Sequence, residues 1–114
     1  MRLVEIRDAL RCEVLAGEHD LSIEVDTVVA SDGMSEILAF ARPGALMITG
    51  LTNIQSVRTA DIANVRAMIY IRGKRPDDKV IALARDRDIP VLTTALGMFD
   101  TCGILRELGL KGGM

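Results

Sequence analysis

A chain of 114 residues is the size of one domain. Folding at that length buries roughly 65 % of the unfolded surface, which supports a single core without disulfide or metal staples. Apolar residues make up 49 % and charged residues 26 %, with mean hydropathy +0.27, a composition that excludes a disordered chain. No apolar run approaches the roughly 20 residues of a membrane span, and an acid as early as Glu5 does not suit a secretory leader. The expectation is a cytoplasmic protein with no membrane partner. Lys and Arg number 14 against 16 Asp and Glu, for a net charge of −2, and the cations are scattered. Nucleic acid is thereby excluded as a partner, since it needs a basic stripe, and Phe40, Tyr70 and Phe99 alone make no base-stacking platform.

In chain order, Leu3, Val4, Ile6 and Leu10 recur at helical spacing, predicting a first helix that stops near Arg11. Cys12–Ala16 and Leu21–Ala30 follow, separated by Gly17-Glu18-His19-Asp20. In the second stretch Leu21, Ile23 and Val25 alternate with Ser22, Glu24 and Asp26, the period of a half-exposed strand. Together they predict an edge hairpin. His19 reads as an exposed turn residue.

From Val28 onward the pattern becomes strand, helix, strand, helix. Val28–Ala30 ends at Ser31-Asp32-Gly33, and Met34, Ile37, Leu38 and Ala41 form a helical stripe stopped by Arg42-Pro43-Gly44. Ala45–Thr49 is an unbroken apolar run, the mark of a strand covered on both faces. Thr52-Asn53-Ile54-Gln55 reads as a Thr-x-x-Gln capping box opening a short helix that breaks near Thr59–Asp61. Ala67–Ile71 is the clearest central strand. Pro76 sits where a first helical residue belongs, with Asp77 and Asp78 at the positive end of the dipole and Val80, Ile81 and Ala84 facing inward. After Ile89-Pro90, Val91–Thr93 makes a short buried strand, and a last helix carries Met98, Phe99, Cys102, Leu105 and Leu108 before the Gly109-Leu110 cap. Lys111–Met114 is expected to fray. Met34, Met47, Met68 and Met98 are core fillers by position, and Tyr70 aims its hydroxyl at a helix layer.

Strands joined by helices imply parallel neighbours and right-handed crossovers. The fold class is α/β: one domain spanning 1–114 with its core over about 3–110, a small, mainly parallel sheet with helices on both faces and an N-terminal edge hairpin.

The chemistry-bearing motifs that the sequence lacks narrow the function. It has no Gly-x-x-x-x-Gly-Lys phosphate loop, no Gly-x-Gly-x-x-Gly, no Gly-x-Ser-x-Gly and no Cys-x-x-Cys. Cys12 and Cys102 match no metal spacing and read as small buried hydrophobes in a reducing compartment. Neither metal nor cofactor is expected. The positive signal is positional, because open parallel sheets bind ligands beyond the carboxyl ends of their strands. Those ends carry Ser31 and Asp32, then Thr49 and Gly50 with Thr52 and Asn53, then Arg72, Gly73 and Lys74, then Thr93 and Thr94. Arg72 or Lys74 would bind a phosphate or carboxylate, and Asp32 would accept from a ribose or an amine. The same residue types also serve as ordinary caps and turns, so the rim is a candidate site weighed against plain scaffold.

Ala30-Ser31-Asp32 before a helix and Arg42-Pro43-Gly44, Ala67–Gly73 leading to Pro76, and Asp88–Thr94 together form a familiar pattern. With the opening helix and the strand Cys12–Gly17, this pattern resembles the DRTGG domain family over about Leu3–Leu110, without the pentapeptide that names it. The resemblance implies a fold similar to the N-terminal domain of HPr kinase/phosphorylase, and a regulatory or assembly module of the kind that accompanies CBS pairs or a phosphotransacetylase domain. Kinase activity is excluded by the missing phosphate loop. The first expectation is thus a non-catalytic regulatory domain, a homodimer or higher homo-oligomer sensing an anionic metabolite or nucleotide. The alternative is an accessory subunit that docks on a partner protein. An enzyme would need Asp32 with Ser31 or Thr49 to act on a phosphoester, the least favoured reading.

Overall fold

The computed structural model describes residues 1–114. Five helices are α1 (Leu3–Leu10), α2 (Met34–Phe40), α3 (Ile54–Ile62), α4 (Asp78–Asp86) and α5 (Met98–Glu107). Six strands are β1 (Glu13–Ala16), β2 (Thr27–Ala30), β3 (Leu46–Thr49), β4 (Ala67–Tyr70), β5 (Val91–Thr93) and β6 (Lys111–Gly112). They form one sheet in the order β1-β5-β4-β3-β2-β6, parallel except for β1, which runs antiparallel to β5. The class is α/β, as the sequence pattern predicts. No helix is long and apolar enough to cross a membrane.

Successive steps β2→β3→β4→β5 run in one direction, so right-handed crossovers put α2, α3 and α4 on one face. The return step from β5 to β6 runs the other way and puts α5 on the opposite face, beside α1. Two apolar cores record this division. Ile37, Val57, Ala60, Val80 and Ala84 pack on Met47, Met68 and Tyr70 on the first face, while Leu3, Ile6, Leu10 and Leu105 pack on Ile48, Ile69 and Leu92 on the second. Full burial of a side chain of this size contributes about 1.5–3 kcal/mol. Met47 and Met68 are fully buried, as their positions predict.

The expected N-terminal hairpin does not form. Gly17 turns the chain at φ +82 against Pro90, where a Cβ would lie 2.8 Å from the proline Cα, and β1 pairs with β5. The alternating stretch after it is no half-exposed strand. It crosses the start of α1, where the Ile23 and Leu21 carbonyls accept the Leu3 and Val4 N–H groups at 2.9 and 2.8 Å. A helix leaves its first amides without internal partners, and this stretch supplies them. Period-two alternation here reports one-sided burial against a helix end.

Four smaller expectations also change. Asn53, not Thr52, caps α3, its Oδ1 accepting the Ser56 N–H at 3.2 Å, and the helix continues to Ile62. Pro76 lies before the Asp77 cap of α4, and Asp77 accepts the Val80 N–H at 3.1 Å. Phe99 is 88 % exposed and Leu108 is exposed as well, while Leu105 is buried as expected and Thr101 is buried beside it. The tail does not fray: Lys111 N–H bonds Asp26 O, Gly113 N–H bonds Val28 O, and Arg42 N–H bonds Gly113 O at 2.7–3.0 Å. Gly113 permits this because a Cβ there would sit 3.1 Å from Ala45 and Val29 side-chain atoms.

Candidate functional site

The rim formed by the carboxyl ends of β2–β5 holds every sequence-predicted site residue, and it divides into two halves. On the β2–β3–β4 side, Asp32 follows β2 and reaches across to β3. Its Oδ1 accepts the Gly50 N–H at 2.7 Å and the Thr49 hydroxyl at 3.0 Å. The Gly50 N–H above all holds its carboxyl below the ordinary carboxylate range; burial opposes it, and the Thr49 hydroxyl and the charges of Arg72 and Lys74 add smaller lowering effects. Lys74 Nζ donates to Gly50 O at 2.9 Å. A side chain at Gly50 would begin 3.4 Å from Arg72 Nη2 and 3.5 Å from both Asp32 carboxylate oxygens. Gly50 thus sits in close contact range of a guanidinium and a carboxylate. The Arg72 guanidinium forms no hydrogen bond or ion pair within the protein and acts on Asp32 through space.

The backbone presenting Arg72 is unusual. Ile71–Lys74 is a turn closed by Lys74 N–H on Ile71 O at 3.0 Å, with Arg72 at φ +55 and Gly73 at φ +67. Two consecutive left-handed residues are the signature of a type I′ turn, which favours Asn-Gly. The other non-glycine residues at positive φ, Arg11, Asn64 and Asp88, all lie just past the ends of α1, α3 and α4, where that conformation is the ordinary helix stop. Arg72 is the exception. A left-handed L-residue costs about 1–2 kcal/mol, and such strain concentrates at functional sites.

The β4–β5 half is closed. Connections from β4 and β5 leave toward opposite faces of the sheet, the topology at which open α/β sheets form a binding crevice. Here the two loops are stitched together: Arg72 N–H bonds Leu96 O at 2.8 Å, Gly73 N–H bonds Thr94 O at 2.7 Å, and the Thr93 hydroxyl bonds Lys74 O at 2.7 Å. The Thr94 hydroxyl turns to the other face, donating to Leu10 O at 2.8 Å and accepting the Leu96 N–H at 3.3 Å. Ser31 accepts the Gly33 N–H within its own loop. The structure thus brings Asp32, Thr49, Gly50, Arg72 and Lys74 into one polar shelf. It gives Ser31, Asn53, Gly73, Thr93 and Thr94 scaffold bonds, and leaves Thr52 half-buried beside the Asn53 cap.

Other titratable groups lie away from the shelf. Tyr70 is buried and bonds the Ser56 hydroxyl at 2.7 Å in the α3 layer, and burial raises its phenol, with the Ser56 bond opposing. Both cysteines are free thiols; burial pushes Cys12 up to about 12 and raises Cys102 as well. His19 is exposed beside Asp20. No cluster of His, Cys, Asp or Glu is arranged to hold a metal.

The family model described as the DRTGG domain matches residues 5–108. The chain belongs to the DRTGG domain family. This DRTGG domain is also similar in structure to a solved regulatory region, the CBS and DRTGG domains of Clostridium perfringens pyrophosphatase complexed with the activator diadenosine tetraphosphate. The two share 23 % identity at a TM-score of 0.77, over 91 % of this chain and 45 % of that one. At that identity the likeness shows the fold, and the DRTGG domain here spans less than half of the solved chain. No curated protein matches the sequence.

Proposed function

We propose that this DRTGG domain is a non-catalytic regulatory domain that reads a small anionic metabolite or nucleotide at the Asp32–Gly50–Arg72–Lys74 shelf. The observation that carries this reading is Arg72, an exposed guanidinium without a partner, presented on strained backbone beside Lys74. An anion on the solvent side of Arg72 and Lys74 would gain charge-assisted bonds from both, and Asp32 would accept from a hydroxyl or amine of the same ligand. Asp32 is already engaged by Gly50 and Thr49 and held ionised. That suits a binding carboxylate better than a general base, whose pKa belongs near the working pH. The pyrophosphatase regulatory region, complexed with a dinucleotide activator, adds nucleotides to the candidate ligands. Two free thiols suit a reducing cytoplasm. Regulation would run through assembly, the ligand favouring one oligomeric state of a homodimer over the monomer.

The test is thermal unfolding against phosphate, pyrophosphate, acyl phosphates, nucleotides and carboxylates. A ligand at 100 times its Kd adds about 2.7 kcal/mol. A shift selective for one anion class, lost in Arg72→Ala/Lys74→Ala with the apo protein still folded, supports the shelf; an unchanged shift in that variant overturns it.

A docking-subunit reading has its own observation in Phe99, the most exposed large apolar side chain at 88 %. It predicts a stoichiometric partner recovered from cells, lost with Phe99→Ser and retained with Arg72→Ala.

A further inference from the structure

The two faces of the sheet are unequally covered: α2, α3 and α4 lie on one, α1 and α5 on the other. A helix with its side chains is about 10 Å across and strands stand about 4.8 Å apart, so one helix shields roughly two strands. The Leu21–Val25 stretch adds to the cover of α1 and α5, and the β2–β6 edge beside α5 stays open. There a cleft of about 220 Å³ opens between α5 and the sheet, with Val28, Ala30, Leu105 and Leu110 among its apolar walls.

The cleft also carries charge of one sign. Arg106 and Lys111 line it, and no carboxylate does. The Arg106 guanidinium lies at the wall, 3.5 Å from Leu110 O, and Lys111 is exposed with its ammonium in no ion pair. The adjoining cleft, which shares Leu110 and Lys111, is lined by Asp26; those farther away are lined by Asp61, or by Asp20 and Asp88, or else hold the single cation Arg11. We infer that the cleft between α5 and the β2–β6 edge binds a small amphipathic carboxylate, its apolar part against Val28, Leu105 and Leu110 and its carboxylate on Arg106 and Lys111. The volume holds roughly seven waters at liquid density, room for a group the size of hexanoate or benzoate. Two cations at the mouth select an acid over an alcohol or amine of equal size. This site is separate from the shelf and does not depend on it.

Cys102 lines the same cleft and is half-buried, which supplies a reporter. In a Cys12→Ala background, the rate at which a thiol reagent labels Cys102 is followed as hexanoate, hexanol or hexylamine is added, with the melting temperature measured alongside. Hexanoate is expected to slow labelling severalfold and raise the melting temperature, with hexanol and hexylamine much weaker. Arg106→Gln/Lys111→Gln is expected to abolish the hexanoate effect, as is Ala30→Leu, which fills the cleft from an exposed position. Arg72→Ala should leave it intact, so a failed shelf and a failed cleft are told apart. Equal protection by hexanol and hexanoate, or protection by neither, overturns the inference.

Discussion

The two halves of the strand-end rim are built from the same residue types and end in opposite states. On the β4–β5 side, Thr93, Thr94 and Leu96 bond the backbone of Arg72, Gly73 and Lys74, and the Thr94 hydroxyl also donates to Leu10. On the β2–β4 side, the Asp32 carboxylate is bonded through one oxygen, the Lys74 ammonium leans on a single carbonyl, and the Arg72 guanidinium has no partner. A buried polar group left unsatisfied is costly, so Thr93 and Thr94, 6 % and 1 % exposed, spend their hydroxyls inside the fold. The half facing solvent can keep unused bonding capacity at little cost. Substitutions in the closed half should therefore change stability, and substitutions in the open half should change ligand response.

The largest effect is expected at Thr94, which is 1 % exposed. Thr94→Val removes the donor to Leu10 O and the acceptor for Leu96 N–H, and urea unfolding should show a loss of about 2 kcal/mol. Gly73→Ala comes next: at φ +67 a Cβ meets no atom within 4 Å, so its cost of about 1 kcal/mol is purely conformational. Arg72→Asn should move the other way, since Asn tolerates the left-handed region. A gain of up to about 1 kcal/mol in urea, with loss of any anion-dependent thermal shift, would mark Arg72 as a residue kept at a cost to stability. A loss of stability in that variant would remove the strain argument.

The smallest effect concerns pH. Asp32 has a lowered pKa in the fold, so its contribution is full above the unfolded-state value near 4 and is lost as pH falls through the folded value. Asp32→Asn should flatten the stability profile below about pH 4. Because Asp32 is exposed, solvent screening limits the change to about 0.5 kcal/mol. An unchanged acid limb would show that Gly50 and Thr49 do not depend on the carboxylate charge.

Most of the elements were legible from local signals. The unbroken apolar runs at Ala45–Thr49 and Ala67–Ile71 could only be covered strands, and both contribute central strands of the sheet. The Leu21–Val25 alternation was legible as one-sided burial but not as to what would cover it, because a sheet neighbour and a helix end impose the same period. Lys111–Met114 carries two glycines and no apolar pattern, the signature of a fraying tail. Its order comes from the free β2 edge and from the close approach that Gly113 allows. Asp32, Gly50, Arg72 and Lys74 were visible as strand-end residues; that Thr93 and Thr94 close the rim while Arg72 stays free was not. The only local hint was Arg-Gly standing where a type I′ turn favours Asn-Gly.

By itself the sequence determined the α/β class and the strand-end positions of the polar residues. These depend on periodicity and residue type, which act over a few neighbouring positions. The tertiary structure decided which strand lies beside which, and therefore which polar groups are satisfied and which edge of the sheet stays open. Those outcomes depend on partners far away in the chain: Gly50 lies 18 residues beyond the Asp32 carboxylate that accepts its N–H, and Leu10 lies 84 residues before the Thr94 hydroxyl that binds its carbonyl.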